Sequence, residues 1–263
     1  MRARTLLIGA AAAATAGAAA AYAFAVRPWW RSWGVDPADA TLDFAGDDLV
    51  PDATVVETRG VEIDAPPDAV WPWLVQMGYG RGGWYSYDAV DMRGTSATEI
   101  LPGLQQLEVG DLLPTHPDGG FVVRTVEPEH ALVVSIDPET LRAQAEAARA
   151  RAEEAAASGD GEAGDGEAAL ANLKAAGAFL ETTTSPDFNA SWAFVLEPVD
   201  GSRTRLIERF RVAMDQDTAG ARLGAPMLGF GVFLMVRRQL LGIRDRVERI
   251  QGSAGPVVAP SPA

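Results

Sequence analysis

The sequence predicts an α+β domain, and three observations predict it. An alternating strand pattern followed by a short helix opens the domain, antiparallel strand-like runs separated by turn residues fill its middle, and a long helical pattern closes it. Alternation begins at Ala53, with Val55, Glu57, Arg59, Val61 and Ile63 on one face and Thr54, Val56, Thr58 and Glu62 on the other. Asp64 can cap a helix, Pro66 and Pro67 supply preset φ at its start, and Ala69, Val70, Trp73, Leu74 and Met77 have helical spacing up to Gly78. Strand runs come next at Val109 to Pro114, Phe121 to Glu127 and Ala131 to Ile136. A hairpin is expected from Ser191 to Glu197 and Thr204 to Met214, turning at Val199 to Ser202. From Leu223 to Ile250 one helix is expected, because Val236, Leu240, Ile243, Val247 and Ile250 recur at helical steps. Its first half, Ala225 to Val236, is apolar all round and too short to span a bilayer, so it is expected to be buried, to touch ligand or to dip into lipid.

Ahead of the domain, Thr5 to Val26 is uncharged, follows Arg2 and Arg4, and at about 1.5 Å per residue is long enough to cross roughly 30 Å of hydrocarbon. Arg27, Trp29, Trp30 and Trp33 come next, and tryptophans beside a span suit the headgroup layer. Residues 1–33 are therefore expected to be a single-pass membrane anchor or, given the small-x-small site Ala23-Phe24-Ala25, a cleaved signal segment. The flanking arginines favour an extracytoplasmic domain. Residues 34–52 read as an acidic linker, 53–252 as the folded domain, and 253–263 as a disordered tail. Within the domain, 138–188 is an insertion: an Ala/Glu/Arg helix over Leu141 to Ala157, then a Gly/Asp/Glu stretch of low complexity.

Composition narrows the function. The chain has 263 residues, 48% of them hydrophobic, enough for one substantial core. With 22 Lys+Arg against 36 Asp+Glu the formal charge is -14, which disfavours a nucleic-acid partner. Absent cysteines and only two histidines, His116 and His130, leave no thiolate or multi-histidine metal site, and no cofactor is implied. Both histidines lie in turn-rich sequence and are expected to be exposed. Gly78 to Gly83 satisfies G-x-G-x-x-G, but its glycines leave a helix instead of opening one, so a sharp bend is the expectation and a dinucleotide site is not.

Ala65 to Gly78 (APPDAVWPWLVQMG), Arg81 to Asp88 (RGGWYSYD), Ser191 to Phe194 and Arg237 to Ile243 together resemble the START-like helix-grip superfamily, in its polyketide cyclase/dehydrase and lipid-transport branch. The resemblance runs from about Ala53 to Arg249 and implies a strongly curved antiparallel sheet gripping the long C-terminal helix around an apolar cavity. The acidic insertion departs from that pattern.

On this basis the expected function is membrane-tethered binding or transport of a hydrophobic small molecule or lipid. Expected liners are Trp71, Trp73, Trp84, Trp192, Phe194, Phe210, Met227, Phe230 and Phe233. The alternative is a cyclase/dehydratase-like enzyme using Tyr85, Tyr87, Asp88 or Glu208 as acid/base groups, with Arg81 a candidate partner for the acids. Leu206, Glu208, Phe210 and Val212 share a strand face, as do Arg59, Val61 and Ile63. If first and last strands are neighbours, Arg59 and Glu208 are expected to meet as a buried pair.

Overall fold

The computed structural model describes residues 17, 20–36, 38–91, 94–158, 188–214 and 219–253. A π-helical turn, Tyr22–Val26, runs into α1 (Arg27–Arg31). The domain then has the order β1 (Val55–Ile63), α2 (Pro67–Val75), α3 (Asp88–Asp91), β2 (Leu112–His116), β3 (Gly119–Glu127), β4 (Ala131–Ile136), α4 (Pro138–Ser158), β5 (Asn189–Pro198), β6 (Thr204–Ala213) and α5 (Ala219–Ser253). The six strands form one sheet of order β1-β6-β5-β4-β3-β2, antiparallel throughout. A long helix packed against such a sheet is the helix-grip arrangement that the resemblance implied.

Local chemistry explains the elements. Pro66 takes the N-cap position of α2 and Pro67 its first helical position, where a missing N–H costs nothing. Gly78, at φ +123°, ends that stretch in a conformation closed to most side chains. The carbonyls freed at the end of α2 are capped by Arg81, whose Nε donates to Met77 O at 3.0 Å and whose Nη2 donates to Val75 O at 3.0 Å. Arg81 is thus spent on the backbone, not on the neighbouring acids. Gly242 of α5 lies so close to the 81–88 loop that a Cβ there would run into the carbonyl of Tyr85.

Register sets the inner face of the sheet. Across β1, β6, β5 and β4, one row reads Glu57, Phe210, Trp192 and Val134; the next reads Arg59, Glu208, Phe194 and Leu132; a third reads Val61, Leu206 and Leu196. Toward α2 this face is filled. Trp73, Leu74, Met77, Tyr85, Leu113, Leu196 and Leu206 are fully buried, as are Leu240 and Ile243 of α5. The expected cavity is therefore not found in that half: side chains from two helices and the sheet occupy it. Hollows lined by Arg27, Arg31 and Thr58 and by Arg124, Asp137 and Gln144 open outward.

The outer face departs from expectation. Of residues 34–52, read as a linker, 38–52 lie along the sheet as a strap. Phe44, Ala45 and Leu49 pack on Ala131, Val133, Ala193, Val195 and Ile207. Alternation in β6 points Arg205, Arg209 and Arg211 outward, and the acidic residues of the strap meet them. Arg205 Nη1 lies 2.6 Å from Asp39 Oδ2; Arg209 grips Asp47 through Nε (3.1 Å) and Nη2 (2.8 Å); Arg211 Nη2 donates to Val50 O at 2.9 Å. The acidity of the segment matches a ladder of arginines, a charge-assisted and partly bidentate pairing.

Three more expectations change. Trp30 is only 2% exposed and is buried against the domain, so it does not sit in a headgroup layer; Trp29, 54% exposed, remains open. His116 ends β2 and is half-buried, with its pKa lowered chiefly by that burial, whereas His130 is exposed. Among the described residues no helix is long and apolar enough to cross a membrane, while most of Thr5 to Val26 and the tail beyond 253 lie outside those residues. The insertion begins with α4, tied to β3 by paired hydrogen bonds between Gln144 and the backbone of Gly120 (3.1 and 2.9 Å); its remainder to 187 lies outside the described residues.

Candidate functional site

At the β1–β6 edge of the inner face the sheet buries charge. Arg59 and Glu208 are directly opposed in register and fully buried, with Arg59 Nη1 3.3 Å from Glu208 Oε2. Glu57, two residues earlier on the same face, accepts from Arg59 Nη2. The other oxygen of Glu208 accepts from Trp192 Nε1 at 2.8 Å, and Arg59 Nε donates to the carbonyl of Trp30 at 3.2 Å. The Arg59 guanidinium also lies against the rings of Trp30 (5.9 Å to centroid) and Phe233 (5.7 Å). The anticipated Arg59–Glu208 pair thus exists, but as part of a larger cluster in which Glu57 and Trp192 take part.

Two carboxylates share one fully buried guanidinium; the next cation, Arg31 of α1, has its Nε 3.9 Å from Glu57 Oε1. The imbalance falls on Glu208, whose pKa is raised from an ordinary 4.5 to about 7. Burial is the main cause and Arg59 opposes it; Glu57 adds to the rise, and the hydrogen bonds from Trp192 and Arg59 reduce it. At neutral pH this carboxyl changes protonation readily.

Beside the cluster lies an aromatic floor. Trp192 is the hub: Trp84 stacks on it at 5.3 Å and 17°, and Phe194 (5.0 Å), Phe121 (5.9 Å) and Phe210 (6.1 Å) surround it. Phe121, Trp192 and Phe210 are half-buried, while Trp84 and Phe194 are buried. Four of the expected liners, Trp84, Trp192, Phe194 and Phe210, therefore come together, and Phe121 joins them. Phe121 shares its β3 face with Val123, a period-2 signal visible in the sequence.

The other expected liners sit elsewhere. Trp73 packs edge-on against Tyr85 at 5.6 Å in the deep core, and Trp71 lies partly buried at its margin. Phe233 and Phe230 belong to α5, where they form an aromatic group with Trp30; Phe233 also meets Trp29 and Trp33. Gly229 makes room for that group, since a Cβ there would come within 2.8 Å of Trp30 Cη2. The Met227 side chain lies outside the described residues.

Of the acid/base candidates, only Glu208 adjoins the floor. Tyr85 is buried with its hydroxyl donating to Trp73 O at 3.1 Å, and burial pushes its pKa up. Asp88 accepts from the backbone N–H of Ser96 at 3.0 Å and from its hydroxyl. Tyr87 is 46% exposed. Among the described residues no group of three or more His, Cys, Asp or Glu side chains could hold a metal ion.

No protein-family model matches the chain, and no curated protein matches it. Solved structures similar to it include a protein from Mesorhizobium loti (14% identity, TM-score 0.32, covering 73% of this chain and 98% of that one). Norcoclaurine synthase of Thalictrum flavum (12%, TM-score 0.29, 70% and 93%) is another. A third is the Zhui aromatase/cyclase of Streptomyces sp. R1128 (12%, TM-score 0.29, 77% and 99%). The helix-grip assignment rests on the strand order, the pairings and the closing helix described above.

Proposed function

We propose that this chain is a membrane-tethered, START-like binding module that holds a hydrophobic small molecule or lipid against the aromatic floor. The observation that carries this reading is the half-open trio Phe121, Trp192 and Phe210 on the inner face of a sheet whose other half is filled. Water against these rings is unfavourable. Covering roughly 40 Å² of each would return about 3 kcal/mol before the costs of association, at about 25 cal/mol per Å². Trp192 is fixed by its hydrogen bond to Glu208, so the floor is pre-organised.

Membrane attachment is supported by the uncharged run from Thr5 to Val26 and by the apolar surface where it reaches the domain. Phe24 is 84% exposed there, and Trp29, Phe230 and Leu234 also face outward. Binding is favoured over catalysis because both Glu208 oxygens are engaged, one by Trp192 and one by Arg59, so a ligand meets the indole before the carboxyl. The enzymatic reading has one specific support, the raised pKa of Glu208, and it requires that turnover of a polyketide-like substrate disappear in Glu208→Gln.

The test is native mass spectrometry of the detergent-extracted full chain, with identification of lipids and metabolites released on unfolding. The wild type is expected to carry a hydrophobe that is lost in folded Trp192→Ala and Phe210→Ala variants. A wild type that carries nothing after incubation with membrane lipids, or variants that retain the hydrophobe equally, would contradict the proposal.

A further inference from the structure

We infer that the seam between α1, the outer face of β1 and the strap is a binding site for a phosphate group. Arg27 and Arg31 of α1, Thr58 and Val56 of β1, Ala40 of the strap and Ser32 line a hollow of about 320 Å³ there. No carboxylate is among its lining residues, although the chain as a whole has a formal charge of -14.

Three features of the hollow call for an anion. Arg31 Nε is buried and has no hydrogen-bond partner, the Glu57 oxygen at 3.9 Å being beyond bonding distance. Arg31 has its pKa lowered, by burial first and then by the charge of Arg27, while Glu57 acts in the opposite sense, so the hollow is lined by two guanidinium groups that repel each other. Thr58 Oγ1 accepts from Arg209 Nη1 at 2.9 Å, which leaves its own proton for an oxygen in the hollow. A tetrahedral phosphate can accept from both guanidinium groups and from that hydroxyl at once, which satisfies the orphan donor and cancels the repulsion.

The location indicates where the phosphate comes from. α1 directly continues the turn Tyr22–Val26, which ends the uncharged run from Thr5. With that run in a bilayer, Arg27 and Arg31 stand at headgroup depth, so a phospholipid headgroup is the favoured source and free phosphate the other. The site itself does not depend on the proposed membrane attachment or on what the aromatic floor binds; only the choice of source does.

The test is calorimetric titration of the full chain in dodecyl maltoside micelles, once with inorganic phosphate and once with phosphatidate carried in the same micelles. The wild type is expected to bind at least one of the two. Arg27→Gln, a change at an exposed side chain, should weaken binding about tenfold, the effect of losing one charge-assisted hydrogen bond. Arg27→Gln/Arg31→Gln should abolish it, and Arg238→Gln, an exposed arginine away from the hollow, should leave it unchanged. Binding of inorganic phosphate with this pattern supports a free-phosphate site, and binding of phosphatidate alone supports a headgroup site. No binding of either probe, or equal affinity in wild type and Arg27→Gln, overturns the inference.

Discussion

Replacing Glu208 by Gln tests the electrostatics of the site. A carboxyl whose pKa lies higher in the folded than in the unfolded chain takes up a proton on folding. Its stabilising contribution is complete below the ordinary value of 4.5 and is lost as pH rises through about 7. At about 1.4 kcal/mol per pH unit, a rise from 4.5 to about 7 amounts to about 3 kcal/mol lost between roughly pH 4 and pH 8.5. For a domain of this size that corresponds to about 6–12 °C in Tm. Gln has nearly the shape of the protonated acid, keeps an oxygen for Trp192 and cannot ionise. Thermal unfolding tracked by circular dichroism across that range should show the wild type losing stability relative to Glu208→Gln as pH rises, with the two converging at acid pH. Parallel profiles, or a wild type that gains on the variant with rising pH, would refute the assignment of a burial-raised carboxyl at this position.

Two further substitutions probe the frame around the site. Asp47→Ala removes the carboxylate gripped by the nearly buried Arg209 and should cost about 3 kcal/mol, read as a lower urea midpoint, with faster hydrogen exchange over residues 39–50; an unchanged midpoint would show that the Asp47–Arg209 pair contributes nothing. Gly242→Ala drives a methyl group into the Tyr85 carbonyl and should cost about 2 kcal/mol by the same measurement, whereas a neutral result would mean that α5 and the loop are not in close contact.

Legibility in the sequence divides along physical lines. Elements with strong local periodicity were legible: β4 spans Ala131–Ile136 as expected, and Val236, Leu240, Ile243 and Val247 form the buried stripe of α5. The Arg59–Glu208 pair was legible because alternation placed each charge on an apolar strand face and the resemblance made those strands neighbours. The strap was not, because it is held by long-range pairs such as Asp39–Arg205 and Asp47–Arg209, and no periodicity in residues 34–52 announces them. Trp30 was misplaced for a related reason. A tryptophan beside an uncharged run suits a bilayer interface equally well, and only Arg59, Phe230 and Phe233 in three dimensions show that it packs on protein. The filled interior was hidden too, since apolar strand residues look alike whether they line a hollow or close it.

If the inner sheet face around Trp192 receives the hydrophobe, the most direct test is photo-crosslinking of the membrane-embedded full chain with a diazirine-bearing fatty acid, with the adducts located by peptide mapping. Adducts on β3, β5 and β6 at Phe121, Trp192 and Phe210, suppressed by excess unlabelled fatty acid, are the predicted result. Adducts confined to the exposed surface at Phe24, Trp29, Phe230 and Leu234, with none on the sheet, would contradict it.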